Sequence, residues 1–212
     1  MTENGYEYID LGLPSGIMWA TCNVGADKPE EYGLLFQFGR VDGYRYGDEN
    51  HKFRLNKQNK QDTGSPYIPI TSSGKTYDKN EILDLADDAA HVNMGGKWRM
   101  QTKDELEELF NNTTHKVETI NGVKGMLFIS NINGHKLFIP FIDYCDDVFN
   151  KAGSGVFVWS SQVHDLDVNS ACRLYCTTKG YVYVDSYARS YAFLVRGVFK
   201  PNDNKDNINM LI

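Results

Sequence analysis

Residues 155–199 read GVFVWSSQVHDLDVNSACRLYCTTKGYVYVDSYARSYAFLVRGVF, and their pattern determines how the rest of the chain is interpreted. Apolar residues alternate here with residues typical of contact surfaces. Alternation with a period of two places the two sets on opposite faces of a β-sheet. The first set is predicted to face the core: Phe157, Trp159, Cys172, Leu174, Cys176, Val182, Val184, Phe193 and Val195.

The second set is rich in tyrosine and is predicted to face outward. Tyrosine supplies a large, rigid contact area at low entropic cost, so it is common in evolved binding surfaces. The alternative is an ordinary antiparallel sheet with tyrosine on its solvated side, because tyrosine also favours strands. The predicted ligand-binding residues, including the loop after Trp159, are His164, Asp165, Asp167, Asn169, Arg173, Tyr175, Tyr181, Tyr183, Asp185, Tyr187, Arg189 and Tyr191.

Composition narrows the classes of partner. The chain has 212 residues and a net charge of −6, with no block of basic residues, which argues against nucleic acid as a partner. No apolar run approaches the length of about 18 residues that a membrane-spanning helix needs, so we expect no membrane insertion. The N-terminal residues do not resemble a signal peptide. The protein is therefore expected not to be exported by that route, unless an export signal was removed.

The chain is predicted to form a single domain over residues 1–200, followed by a polar tail over 201–212. The segment of about 42–80 is polar and lacks sustained periodicity, which predicts a long surface loop. Short strands are expected at Tyr8–Asp10 and Met18–Cys22. Pro29, followed by two glutamates, favours the first turn of a short helix.

Two further helices and a meander are predicted in the middle of the chain. After Asn80, apolar residues recur at helical spacing, namely Ile82, Leu85, Ala86 and Ala89, until the pair of glycines at Gly95 ends the pattern. Thr102, with a glutamate three positions later, forms a capping box for a helix over 103–111. Trp98, just before it, is predicted to be buried. Asn121 and Asn133, each followed by glycine, indicate type I′ turns between three strands.

Motifs for chemistry are sparse, and we predict no catalytic residues, no metal site and no cofactor. The five histidines lack zinc-ligand spacing, and no phosphate-binding loop or nucleophile elbow occurs. Asp165, Asp167 and Asn169 alternate in a loop, so calcium stays open as an alternative to a solvated turn. Cys172 and Cys176 would lie about 13 Å apart on one strand, too far for a disulfide.

Several stretches resemble a known family. EYIDLGLPSGIMWATCNVGADKPEEYG, GGKWRMQTKDELEELF, VWSS and AFLVRGV are similar to the "major paralogous" domains of gut Bacteroidetes and their phages. Those domains belong to the formylglycine-generating-enzyme-like branch of the C-type lectin fold. Gln101 and Gly197 depart from the family, which usually has proline at both positions. The resemblance implies an α+β fold with twisted antiparallel sheets flanked by two short helices.

The fold alone does not determine function. The motifs that hold calcium in sugar-binding C-type lectins are not present in the sequence. Formylglycine-generating enzymes act through a cysteine pair, and Cys172 and Cys176 lie in the corresponding region, but their surroundings do not match. An enzyme of this type is one alternative function, and a structural module of a secreted assembly is another.

The variable proteins of diversity-generating retroelements form a third branch of the fold. In that family, adenines of Asn codons are randomised in the C-terminal segment. Such codons, mutated at their first two positions, never encode Lys, Glu, Gln, Met or Trp, and residues 163–199 contain only Lys179 among these types. The resemblance implies a non-enzymatic phage receptor-binding protein or surface adhesin. It would bind a protein or glycan receptor on a cell surface, and a homo-oligomer is left open.

Overall fold

The computed structural model describes residues 1–45, 82–142, 154–165, 167, 169–189 and 191–201. Most of the predicted loop of 42–80, residues 143–153 and nearly all of the predicted tail lie outside these ranges. Within the described part of that predicted loop, Tyr44 and Arg45 form a short strand instead, and Tyr44 is buried.

The described residues form a mixed α+β structure that consists mostly of strands. Two α-helices occur, α1 (Ala89–Met94) and α2 (Lys103–Asn111), with a short 3-10 helix at Leu85–Asp87. The strands are β1 (Thr2–Glu3), β2 (Tyr6–Asp10), β3 (Met18–Asn23), β4 (Leu34–Gln37), β5 (Tyr44–Arg45), β6 (Arg99–Met100), β7 (Thr113–Ile120), β8 (Val123–Ser130), β9 (Lys136–Pro140), β10 (Gly155–Val163), β11 (Ser170–Thr177), β12 (Val182–Ala188), β13 (Ala192–Leu194) and β14 (Arg196–Phe199).

The strands form three sheets. The first has the order β1-β2-β3-β14-β6, the second β12-β11-β10-β13-β4-β5, and the third β7-β8-β9. All pairings are antiparallel except that of β10 with β13, so the predicted antiparallel character is confirmed for the rest. The predicted strands at Tyr8–Asp10 and Met18–Cys22 are β2 and β3, each one or two residues longer than expected.

The end of the chain joins the sheets. Ala192–Leu194 lies in the second sheet, and Arg196–Phe199 lies in the first sheet between β3 and β6. The fully buried Arg196 guanidinium donates hydrogen bonds to the carbonyl oxygens of Ala20 and Phe138, each at 3.1 Å. Ala20 belongs to the first sheet and Phe138 to the third. Arg196 therefore connects two sheets, while burial lowers its pKa to about 10.

Helix α2 has the predicted bounds, and it begins at the predicted capping box. The Thr102 hydroxyl accepts from the Glu105 N–H, and the Glu105 carboxylate accepts from the Thr102 N–H at 2.8 Å. The Arg99 guanidinium holds the same carboxylate at 2.6 Å. Leu106 and Leu109 are fully buried, so α2 packs this side against the second sheet.

The helix predicted after Asn80 is wrong in its extent. Asp88 has an extended backbone and separates the 3-10 helix from α1. Its backbone N–H donates to the Leu85 carbonyl at the end of the 3-10 helix, and its carboxylate accepts the N–H of His91, which caps α1, and the N–H of Met100. Leu85, which the helical spacing placed on the apolar face, is 53% exposed. Gly95 ends α1 with a φ of +67°, as predicted.

The helix predicted at Pro29 is also wrong, because this segment is a turn. The Glu31 N–H donates to the Lys28 carbonyl, and the Glu31 carboxylate accepts from the Asp27 N–H. The chain has little room for a helix here, since Leu34 donates back to the Val24 carbonyl at 2.8 Å. These bonds close a loop between β3 and β4.

One of the two predicted type I′ turns is confirmed. Asn121 and Gly122 both have positive φ, +49° and +84°, and connect β7 to β8 directly. At the second turn only Gly134 has a positive φ, and a five-residue loop separates β8 from β9. The Ser130 hydroxyl accepts backbone N–H groups of this loop, so side-chain bonds replace the two-residue turn.

Trp98 is fully buried, as predicted. Its indole N–H donates to the Glu3 carbonyl at 2.9 Å, and its ring lies edge-on against Phe199 at 4.8 Å. A Cβ on Gly197 would lie 2.9 Å from the indole ring, so glycine lets β14 approach Trp98 closely. Trp98 thus fixes β14 against β1.

Candidate functional site

Strands β10, β11 and β12 carry the predicted binding surface. Antiparallel pairing sets Phe157 opposite Tyr175 and Tyr175 opposite Tyr183. Directly opposed residues of a sheet project from the same face, so these three rings form one row across the strands. A second row beside it contains Trp159, Arg173 and Asp185.

This register corrects the assignment of faces. The sequence predicts Phe157, Trp159 and Phe193 on the face opposite to the tyrosines, but they lie on the same face, on the neighbouring strands β10 and β13. Because both sides of β10 are buried, its alternation does not separate a core face from a solvent face. The uninterrupted apolar run of 156–159 is the signal that would have revealed this. The other members of the apolar set are buried as predicted except Val184, which is half-buried.

The first row forms an aromatic ladder that runs from the core to solvent. Phe157 stacks on Tyr175 with centroids 5.1 Å apart and planes 7° apart, and Tyr175 stacks on Tyr183 at 5.9 Å and 25°. Phe157 is buried, Tyr175 is half-buried and Tyr183 is 48% exposed. Buried neighbours therefore support the outer rings of the row, which leaves them accessible in a defined position.

Arg173 lies under the surface, and the prediction that it faces outward is wrong. Its guanidinium is ion-paired with Asp185, with Nε–Oδ1 at 2.8 Å and Nη2–Oδ2 at 3.2 Å. It also lies 4.1 Å from the ring centroid of Tyr187 and 5.0 Å from that of Phe193. Aromatic faces and one carboxylate replace water around this cation. Arg173 therefore positions Tyr187 and Asp185.

Tyr187 and Tyr191 continue the surface. Their rings meet edge to face at 4.8 Å, and Tyr187 lies 5.9 Å from Phe193. Both tyrosines are half-buried. Tyr181 is 60% exposed in the turn before β12, where its N–H donates to the Thr177 hydroxyl. The structure thus places all five predicted tyrosines along β12 and its neighbours. Together with Asp185, these five residues are called the tyrosine surface.

Arg189 is buried as well, at 3% exposure, so its predicted outward position is also wrong. Its N–H donates to the Asn169 carbonyl at 2.9 Å, and its guanidinium carbon lies 6.0 Å from the Phe38 ring centroid. The side chain leaves the tyrosine surface because the chain bends after β12. Regular alternation ends where the strand ends at Ala188.

The predicted loop residues are held by their own hydrogen bonds. The Asp167 carboxylate accepts from the Ser170 hydroxyl at 2.6 Å and from the Asn169 N–H at 3.0 Å, which lowers the pKa of Asp167. The His164 Nδ1 accepts from the Asp167 N–H. Asp165, Asp167 and Asn169 are exposed, and His164 is half-buried.

This loop borders only one end of the tyrosine surface. Ser170 pairs with Ala188, whereas Tyr181 precedes the other end of β12. A strand of this length spans about 20 Å, so one small ligand would not contact both ends. Within the described ranges, no group of three or more His, Cys, Asp or Glu side chains gathers as a metal site would require.

An open groove of about 890 Å³ lies between the edge strand β12 and helix α2. Sequence analysis missed the helix side of this groove, because the distance along the chain hides its proximity to β12. Phe110 and Glu107 come from the helix, and Val182, Val184, Tyr183 and Asp185 come from the strand. Tyr175, Thr177 and Asn111 complete the lining.

The two strand cysteines lie on the opposite face of β11, towards the core. Both are free thiols and buried, with exposures of 3% and 0% for Cys172 and Cys176. Burial raises the pKa of Cys172 to about 11 and that of Cys176 well above its ordinary value. A thiol nucleophile needs the opposite shift, because the thiolate is the reactive form.

No family model, curated protein or solved structure matches this chain significantly. Of the helices in the described part of the chain, none has the length and apolar character to cross a bilayer.

Proposed function

We propose that this protein is a non-enzymatic recognition protein with the C-type lectin fold. It binds a protein or glycan receptor on a cell surface through the tyrosine surface, defined as Tyr175, Tyr181, Tyr183, Asp185, Tyr187 and Tyr191. It acts as a phage receptor-binding protein or as a surface adhesin. The C-terminal stretch of the sequence and the resemblance to "major paralogous" domains motivate this proposal.

The observation that carries the proposal is a pair of exposed tyrosines on a rigid base. Tyr181 and Tyr183 are 60% and 48% exposed, and Tyr183 continues the ladder that begins at the buried Phe157. A receptor that covers these rings buries apolar area, while little side-chain freedom remains to be lost. Tyrosine is also among the residues that dominate binding energy in interfaces.

Diversification of the C-terminal segment is part of the proposal. The span 163–199, poor in the residue types that mutated Asn codons never encode, contains β11, β12 and the exposed tyrosines. Sequencing of the flanking DNA tests it. We expect a reverse-transcriptase gene and a near-copy of the coding segment for 156–198, and a genome without either would contradict diversification.

A formylglycine-generating type of enzyme is the weaker candidate. Its chemistry needs two accessible cysteines with thiolate character. Cys172 and Cys176 are buried, and their raised pKa values favour the neutral thiol. This supports a recognition role over a thiol-dependent one.

The deciding experiment removes the two exposed rings together. Fluorescently labelled protein is tested on intact cells of a panel of gut Bacteroidetes and on a glycan array. We expect the wild-type protein to bind at least one target and the double variant Tyr181→Ala, Tyr183→Ala to lose that binding. The Tm should shift by no more than about 2 °C, because substitutions at exposed positions change stability little.

A matched control removes exposed apolar side chains elsewhere. Val92 in α1 and Ile132 between β8 and β9 are 48% and 55% exposed. The variant Val92→Ala, Ile132→Ala should bind as the wild type does. Binding that survives in the tyrosine variant, or that is lost equally in the control, would overturn the assignment of the tyrosine surface.

A further inference from the structure

Along its outer edge, β12 has backbone N–H and C=O groups that point away from its neighbouring strand β11. Near the two ends of β12, Thr177 N–H donates to the Tyr181 carbonyl at 2.8 Å, and Arg189 N–H donates to the Asn169 carbonyl at 2.9 Å. The register between β11 and β12 has no shift over 170–188, so the odd-numbered residues of β12 exchange hydrogen bonds with β11. The N–H and C=O groups of the even-numbered residues point the other way: Val182, Val184, Ser186 and Ala188.

No described strand pairs with this outer edge, because β12 is the last strand of its sheet. The groove between β12 and α2 lies along the same edge. Its lining is apolar at Phe110, Val182 and Val184 and aromatic at Tyr183. A strand added here would direct alternate side chains towards α2 and towards the tyrosine surface.

The charged residues that line the groove indicate the charge of the segment that it binds. Its lining contains the carboxylates of Glu107 and Asp185 and no Lys, Arg or His. The Glu107 side chain is 45% exposed and lies 3.7 Å from Lys103, and the Asp185 side chain is 41% exposed and is ion-paired with the buried Arg173. Each carboxylate nevertheless keeps part of its surface in solvent, where a further cation can approach it. Glu107 would lie on one face of the added strand and Asp185 on the other. Because successive side chains of a strand point to opposite faces, basic residues on either face of the partner strand would meet a carboxylate.

We propose that this edge binds an extended segment of another protein, rich in Lys or Arg, which adds to the second sheet as a strand beside β12. Main-chain hydrogen bonds to Val182, Val184 and Ser186 supply affinity, and the two carboxylates select basic residues. A second copy of this acidic chain fits less well, because self-pairing brings two sets of Glu107 and Asp185 to one edge. The inference rests on the proposed function and names the partner class for the same surface.

The test uses a library of linear twelve-residue peptides selected against the full chain. We expect the enriched peptides to lack proline and to carry Lys or Arg with apolar residues between them. Binding of the best peptide is then measured by fluorescence anisotropy. Methylation of its alternate backbone nitrogens should abolish binding, since the added strand would lose its own donors.

Val184→Pro is the decisive variant, because it removes one outward N–H and leaves the bonds between β11 and β12 in place. Peptide affinity should fall about tenfold or more, because the variant loses one main-chain hydrogen bond to the peptide and the proline ring alters the strand edge. Val184→Thr keeps the shape and the N–H and should bind within about twofold of the wild type. Glu107→Gln should weaken binding and reduce its salt dependence.

If Val184→Pro fails to fold, Ser186→Pro is used in its place, because it removes the next outward N–H of β12. The inference is overturned if no peptide is enriched, or if the enriched peptides bind the proline variant as tightly as the wild type. It is also overturned if the wild-type protein dimerises in sedimentation and the proline variant does not, because a second copy then occupies the edge.

The same variants separate this inference from the proposed function. Cell binding that is lost in Tyr181→Ala, Tyr183→Ala but kept in Val184→Pro retains the tyrosine surface and overturns strand addition. Cell binding that survives both variants overturns both proposals.

Discussion

At the scale of single residues, Arg173 and Asp185 are not equivalent partners. The Arg173 side chain is 7% exposed and that of Asp185 is 41% exposed. If the carboxylate is removed, a buried cation loses its anion, whereas removal of the arginine leaves a carboxylate that water reaches. The pair is therefore asymmetric, with the buried member dependent on the exposed one.

We expect Asp185→Ala to lower the free energy of unfolding by about 1–3 kcal/mol. Arg173→Met should cost less, since methionine fills a similar space among the aromatic rings without a charge. Urea denaturation of the two variants gives the comparison. A larger loss for Arg173→Met would mean that contacts of the guanidinium with the aromatic rings, and not the ion pair, dominate at this position.

Cys172 gives a second prediction for a single residue. Burial raises its pKa to about 11, so at pH 8 its thiolate fraction is far below that of an exposed cysteine. We expect iodoacetamide to modify Cys172 and Cys176 slowly in the native protein, with a rate that rises with pH up to about pH 11 for Cys172. Peptide mass spectrometry measures the modification, and the urea-denatured protein is the control. Fast labelling that levels off below pH 8 would restore a thiol-dependent activity.

At the scale of elements, the two helices show when local sequence suffices. The start of α2 follows from its cap, because Thr102 and Glu105 satisfy each other's N–H groups without tertiary contacts. For α1 the periodic apolar pattern predicts too long a helix. Asp88 interrupts it by bonding to Met100, a residue beyond the helix.

We expect Thr102→Ala to cost about 1 kcal/mol of unfolding free energy, because the Glu105 N–H loses its acceptor. Thr102→Ser retains the hydroxyl and should stay close to the wild type. Thermal denaturation compares the three proteins. An alanine variant as stable as the serine variant would show that the Arg99–Glu105 pair alone holds the start of α2.

For the hairpin of β11 and β12, the sequence predicts only part of the arrangement of its side chains. Alternation predicts correctly that Tyr183 and Asp185 share a side with Tyr175. It does not distinguish a side that is exposed to solvent from one that is covered by other side chains. Arg173 is on the predicted side, yet it is covered by Tyr187, Phe193 and Asp185.

At the scale of the whole molecule, the last strands connect the sheets. β13 lies between β10 and β4 in the second sheet, β14 lies in the first, and Arg196 donates hydrogen bonds to carbonyl groups of the first and third sheets. The strands on which the tyrosine surface lies are thereby tied to β3 and β9. This arrangement gives the tyrosine surface a rigid base, which would lower the entropy lost when that surface binds the proposed receptor.

The sequence by itself determined the features that depend on neighbouring residues: the capped helix α2, the turn at Asn121, the buried Trp98 and the alternation of the tyrosines. Each rests on contacts within a few positions or on a strong preference for burial. Only the tertiary structure decided which side of β10 meets the tyrosines, that Arg173 and Arg189 are buried, and that α2 borders the edge of β12. These depend on strand register and on contacts between distant segments, and a period of two is the same whether a face meets water or another layer of side chains.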